Sequence, residues 1–143
     1  MTLTLNWYYT DSGNYRYELD GLDLNSDKFD NLEGIYIIYY LDRQVGLTRA
    51  VYVGQGAIRD RLYVHRRDDR IQQHANNALN DTLYVAWSEV SSTRRDGIEK
   101  YLHEKLNPLV REISPAVPPQ SVNLPWETTS PTNPFKKSNP FSL

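Results

Sequence analysis

The chain has 143 residues, a mass of 16.7 kDa, a formal charge of -2, a sequence pI near 5.9 and a mean hydropathy of -0.65. That length predicts one domain with a single core, and the slightly acidic balance argues against a nonspecific nucleic-acid coater, whose footprint is basic. The lack of cysteine excludes disulfides and thiolate metal sites. No stretch approaches the roughly 18 apolar residues of a membrane helix, and the N-terminus lacks the layout of a secretory signal; a cytoplasmic location is the expectation.

Residues 1–33 are polar with scattered aromatics and predict a short strand or two with turns, an N-terminal extension packed on the core. The β-branched and aromatic run GIYIIYYL, 34–41, predicts a strand. A short polar link leads to a second strand, AVYVG at 50–54, and so short a link favours an antiparallel pair. Ile58, Leu62, His65, Ile71 and Ala75 fall at helical spacing and predict a helix from Ile58 to about Leu79. TLYVAWSEV, 82–90, alternates as a third strand does. SSTRRDGIEKYLHEKLNP opens with a Thr93-x-x-Asp96 capping signature, sets Ile98, Leu102 and Leu106 on one stripe, and stops at Pro108. The predicted fold class is α+β: a small three-stranded antiparallel or mixed sheet flanked by helices, with a β-β-α-β-α core over 34–112. All but one of the eight prolines lie beyond Ile113. Residues 113–127 keep enough Val, Leu and Trp to dock on that core, whereas 128–143 read as a flexible tail. The tail repeats Asn-Pro-Phe at 133–135 and 139–141, either a docking motif or a turn-forming accident.

Tyrosine is frequent, 11 against 3 Phe, so many strand positions carry a hydroxyl that must reach water, a partner or a substrate. Alternation puts Tyr36, Ile38 and Tyr40 on one face of the first strand, and Ala50, Tyr52 and Gly54 on one face of the second. Any even index sum brings Tyr36 and Tyr52 to the same side of the sheet. A sum of 90, for example, sets Tyr36 opposite a strand-ending Gly54, whose missing side chain would leave room beside the phenol. Gly34 and Gly54 read as places of close backbone approach. Arg61 and His65 stand four residues apart on one helix, as do Glu99 and His103 on the next. Two phenols, a guanidinium, an imidazole and a carboxylate are what phosphodiester hydrolysis can use. The carboxylate holds a hydrated divalent cation that offsets phosphate charge. The guanidinium grips phosphate as a planar fork, and a phenol or imidazole deprotonates water. Residues 59–70 carry five arginines against three aspartates. Arg59, Arg66, Arg67 and Arg70 are candidate contacts to backbone phosphates, or else one solvated, ion-paired face. His74 and His103 read as incidental, with a ligand or shuttle role left open for His103.

At these residues the chain resembles the GIY-YIG endonucleases. The two name tripeptides stand as Gly34-Ile35-Tyr36 and as Tyr52-Val53-Gly54, with Val for the central Ile. GQGAIRDRLYVH looks like the family helix in which Arg is followed four residues on by His. GIEKYLHEKLNP looks like the helix with the metal-binding glutamate, which falls on Glu99. The resemblance spans roughly residues 33–110 in order. It implies a three-stranded sheet with flanking helices, and hydrolysis of DNA phosphodiesters with one divalent metal, Mg²⁺ (or Mn²⁺). Carried over, Glu99 is the metal ligand, Arg61 the transition-state clamp and Tyr36 the general base, with Tyr52 or His65 positioning water or phosphate. Many members carry an asparagine a few residues beyond the proline; here that stretch reads NPLVREIS, with Arg111 in the neighbourhood, Asn107 before the proline and Asn123 further on. With no zinc-ligand pattern, basic arm or helix-turn-helix in the chain, site choice is expected to be loose or supplied by a protein partner or homodimer. RNA as well as DNA stays open. The alternatives are a catalytically weak nucleic-acid-binding module and an interaction protein working through its Asn-Pro-Phe tail.

Overall fold

The computed structural model describes residues 1–42, 44–75 and 82–127; the Asn-Pro-Phe repeats of the tail lie outside that range. Strand β1 (Glu33–Asp42) occupies the centre of an antiparallel sheet ordered β2-β1-β3, with β2 at Leu47–Ala57 and β3 at Tyr84–Glu89. Ile35 to Tyr39 are all buried, because β1 is paired along both edges and covered on both faces. A strand so placed reads as a continuous apolar run rather than an alternation. The sheet and its flanking helices form the expected α+β core, in the order β1-β2-α1-α2-β3-α3, where α1 is Ile58–His65, α2 Asp69–Gln72 and α3 Ser92–Leu106. No helix among the described residues is long and apolar enough to cross a membrane.

Two apolar layers sandwich the sheet. Tyr36, Ile38, Tyr52, Val85 and Trp87 face Ile58 and Leu62 of α1 and Ile71 of α2. Ile35, Ile37, Tyr39, Val53 and Ala86 face Ile98 and Leu102 of α3. Ile58, Leu62, Ile98 and Leu102 are fully buried, each stabilising its layer by roughly 1.5–3 kcal/mol. Pairing of β1 with β2 keeps an index sum of 90 from Glu33↔Ala57 to Ile38↔Tyr52, then shifts so that Tyr39 meets Ala50. Val51 is the bulged residue left without a partner on β1. Its carbonyl accepts from Val110 N at 2.8 Å, and Ala50 O accepts from Leu109 N at 3.2 Å, which pins the chain after α3 against β2.

Spacing alone does not set the element boundaries. Strand β2 does not end at Gly54 but runs on to Ala57. The single long helix expected from Ile58 is broken: α1 stops at His65, and Asp68 starts α2 afresh by accepting from Arg70 N at 2.9 Å. That aspartate cap offers the backbone an alternative to continuing the helix. Thr93 is not the cap of α3 either; the helix begins at Ser92 with Ser91 as N-cap, and Asp96 is turned instead toward β2. Asn107, at φ 46°, closes α3 in the left-handed conformation, and Pro108 follows.

The N-terminal residues form isolated bridges rather than a strand. Tyr8 exchanges hydrogen bonds with Trp87, and Tyr17 and Leu19 pair with Val85 and Leu83, so this segment lies along the outer edge of β3. Trp7 joins the α3-side layer while Leu19, Leu24 and Phe29 join the other. Asn123 ties the two ends of the domain together. Its Oδ1 accepts from Leu5 N at 2.6 Å, its Nδ2 donates to Leu5 O at 3.1 Å, and its carbonyl accepts from Trp7 Nε1 at 2.9 Å. Val122 and Leu124 beside it are buried in the α3-side layer.

Candidate functional site

The site is built at the sheet's β2 rim. Gly54 stands directly opposite Tyr36, and a Cβ there would lie 2.6 Å from Tyr36 Cζ and 2.8 Å from Tyr52 Cε1. Only a glycine lets the Tyr36 ring lie across the neighbouring strand. Gly56, at φ +129°, takes a backbone conformation that side chains disfavour and forms the surface on which the Arg61 stem rests, a Cβ there lying 3.4 Å from Arg61 Cγ.

Four of the five expected catalytic residues meet on this face. Tyr36 Oη and His65 Nε2 are 2.6 Å apart, and Arg61 Nε donates to Tyr36 Oη over a long 3.4 Å. The Arg61 Nε–H and the phenol O–H both find acceptors when the phenol gives its own proton to His65 Nε2, which places the imidazole proton on Nδ1. The His65 ring is wedged against both phenols, with centroids 4.4 Å from Tyr52 and 5.4 Å from Tyr36, and the two phenols stack at 6.0 Å. His65 Nδ1 is buried without a hydrogen-bond partner in this arrangement.

Burial sets the proton affinities here. It pushes the Tyr36 phenol well above its ordinary value, against the Arg61 hydrogen bond that draws it down; Tyr52 and Glu99 add to the rise. Burial, with Glu112 nearby, raises Tyr52 as well, while Arg61 opposes the rise. Burial and the Arg61 charge lower His65 to about 4, so the ring is neutral near pH 7. Arg61 is held charged chiefly by its hydrogen bond to Tyr36.

Glu99 comes from the other side. It lies on α3, which covers the opposite face, and it reaches the rim through Gln55 of β2, whose Nε2 donates to Glu99 Oε2 at 3.0 Å and to Asp96 Oδ1 at 2.8 Å. Burial raises the Glu99 pKa, the Gln55 hydrogen bond and Arg61 lower it, and Asp96 and Glu112 raise it. Glu99 thus acts on the four-residue cluster by charge across β2, not by contact. Among the described residues no three His, Asp or Glu side chains gather as a metal-ligand group. A half-buried carboxylate whose ionisation is opposed by burial still fits a hydrated Mg²⁺ (or Mn²⁺), which needs only one or two carboxylates beside its waters and substrate oxygens.

Arg59 and Arg66, candidates for phosphate contacts or for an ion-paired face, both have partners within the chain. Arg59 donates to Leu24 O, Ser26 O and Asp30 Oδ1, and Arg66 to Leu19 O and Leu22 O, so both strap α1 and its C-cap to the N-terminal segment. Arg70 pairs with Asp68 at 2.8 Å and Glu112 at 3.5 Å, and Arg67 is exposed. His103 donates from Nε2 to Val53 O at 3.3 Å inside the α3-side layer. Neither candidate asparagine reaches the cluster: Asn107 Oδ1 accepts from Arg111, and Asn123 is the N-terminal tie. Two residues at the site carry no signal in the sequence motifs. Gln55 is not ionisable and has no motif weight, although period-2 alternation from Gly54 already aims it at the α3 face. Glu112 lies in irregular chain whose path is set by the Val51 bulge, and no local signal places it.

Neither a protein-family model, nor a curated protein, nor a solved structure matches the chain.

Proposed function

We propose that this chain is a metal-dependent endonuclease of the GIY-YIG type that hydrolyses DNA phosphodiester bonds. The observation that carries the reading is Tyr36 Oη held between His65 Nε2 and Arg61 Nε, its ring seated across the side-chain-free Gly54. Arg61 swings its fork onto the scissile phosphate, which uncovers the otherwise fully buried phenol. Tyr36 then takes a proton from the attacking water while passing its own to His65 Nε2, so no free phenolate is required. The arriving phosphate anion offsets the Arg61 charge that depresses His65, and so raises the proton affinity of the imidazole when it is needed. Glu99 would hold Mg²⁺ (or Mn²⁺), which supplies Lewis-acid charge to the phosphate and the leaving oxygen. Tyr52 packs the His65 ring in place. A cytoplasmic site of action belongs to the same proposal, as does a protein partner or second copy that selects the site.

The test is nicking of supercoiled plasmid with Mg²⁺ or Mn²⁺. Glu99→Ala, Arg61→Ala and Tyr36→Phe should each lose about 100-fold or more in rate while band-shift assays show DNA still bound. A wild-type chain that leaves plasmid intact with either metal, or variants that cut at the parental rate, would overturn it. Full burial of Tyr36 favours a second reading, a module that binds nucleic acid without cutting. DNA retention without nicking, with RNA as competitor, is its signature.

A further inference from the structure

We propose that Gln55 is a positioning residue for Glu99, holding one carboxylate oxygen so that the other is presented to a divalent cation. The inference rests on the nuclease reading and deepens its metal requirement. One amide nitrogen bridges two acids: Gln55 Nε2 meets Glu99 Oε2 at 3.0 Å and Asp96 Oδ1 at 2.8 Å. Both neighbours are acceptors, so the amide must turn its NH₂ group toward them. Asp96 and Glu99 stand three residues apart on α3 and would repel each other on one helix face. Gln55 occupies the point where both hydrogen-bonding demands can be met from β2, a rigid strand rather than a loop.

The choice of side chain is informative. A lysine at 55 would neutralise the two acids more strongly, but its charge would also repel a divalent cation. An amide donates the same hydrogen bonds and leaves the full negative charge of Glu99 for a ligand. With Oε2 taken by Gln55, Oε1 is the oxygen that remains. Groups of this kind, which orient a ligating carboxylate without touching the metal, typically govern 10–100-fold in metal affinity.

The experiment measures Mn²⁺ binding to the full chain by electron paramagnetic resonance, alongside the Mg²⁺ concentration that half-saturates plasmid nicking. Gln55→Met keeps the length and loses both donors. It should melt within a few degrees of the parent, bind Mn²⁺ about tenfold more weakly or worse, and recover most of its nicking rate at saturating Mg²⁺. Gln55→Lys retains hydrogen bonds to both acids and keeps the fold should the Met variant lose it; it too should bind Mn²⁺ at least tenfold more weakly. A merely structural role would lower the Met variant's melting temperature and leave the Mn²⁺ affinity of its folded fraction untouched. The lysine charge weakens binding only where the cation sits beside Glu99, so an unchanged affinity in that variant would also overturn the inference. Mn²⁺ affinity within twofold of wild type in the folded variants would overturn this inference alone. A wild-type chain that neither binds Mn²⁺ nor nicks plasmid would overturn the nuclease reading and this inference with it.

Discussion

His65 shows how one buried ring couples chemistry to folding. Its pKa is about 4 in the folded protein against 6.5 for the free side chain. Between those values the unfolded chain binds the extra proton, so stability rises with pH across the window and is lost as pH falls from about 6.5 toward 4. The full contribution is up to roughly 3 kcal/mol. Urea titrations at pH 7 and pH 4.5 should therefore show a steeper loss for wild type than for His65→Asn, and parallel losses would exclude His65 as the group responsible. The candidate site's ionisable members were legible from order along the chain: the phenols stand in the two tripeptides, Arg61 and His65 four residues apart behind the second, and Glu99 on the helix that stops before Pro108. What spacing could not give was the protonation logic. A phenol and an imidazole 29 residues apart in the chain become one 2.6 Å pair only when β1 and α1 pack.

The β1-β2 hairpin carries the geometry of the site, and Gly54 is where it is least forgiving. Gly54→Ala would drive a methyl into Tyr36 and Tyr52, two buried rings with no room to yield. It should cost about 1–3 kcal/mol in a denaturant titration and abolish nicking together with it. Retention of both would mean that the Tyr36 ring does not lie across the strand. The three strands were readable from side-chain alternation and β-branched content, whereas the index sum of 90 was one example among the even sums and is fixed only by the observed pairing. The break after His65 was not readable, because Ile71 and Ala75 continue the helical period and only the Asp68 cap reveals a second start. Likewise Thr93-x-x-Asp96 matched a capping pattern, but Gln55 of a distant strand competes for the Asp96 carboxylate. Local signals fail where a tertiary partner outbids the backbone.

At the scale of the whole molecule, the polar N-terminal segment and the proline-rich stretch 113–127 complete both layers of the sandwich. Asn123 is their common fastening, serving both backbone groups of Leu5. Asn123→Ala would strand two buried main-chain groups and should cost about 3 kcal/mol, visible as a drop in the denaturation midpoint, with Mn²⁺ affinity of the folded fraction unchanged. An altered affinity would show that the tie reaches Glu99. The bulge at Val51 divides the hairpin into an inner half, phased on Tyr36 and Tyr52, and an outer half with its own phase that ends in the turn. Insertions or losses in that turn can therefore be absorbed at the joint without rotating Tyr36 and Tyr52, whereas deleting Val51 itself would transmit every change beyond it straight into the candidate site.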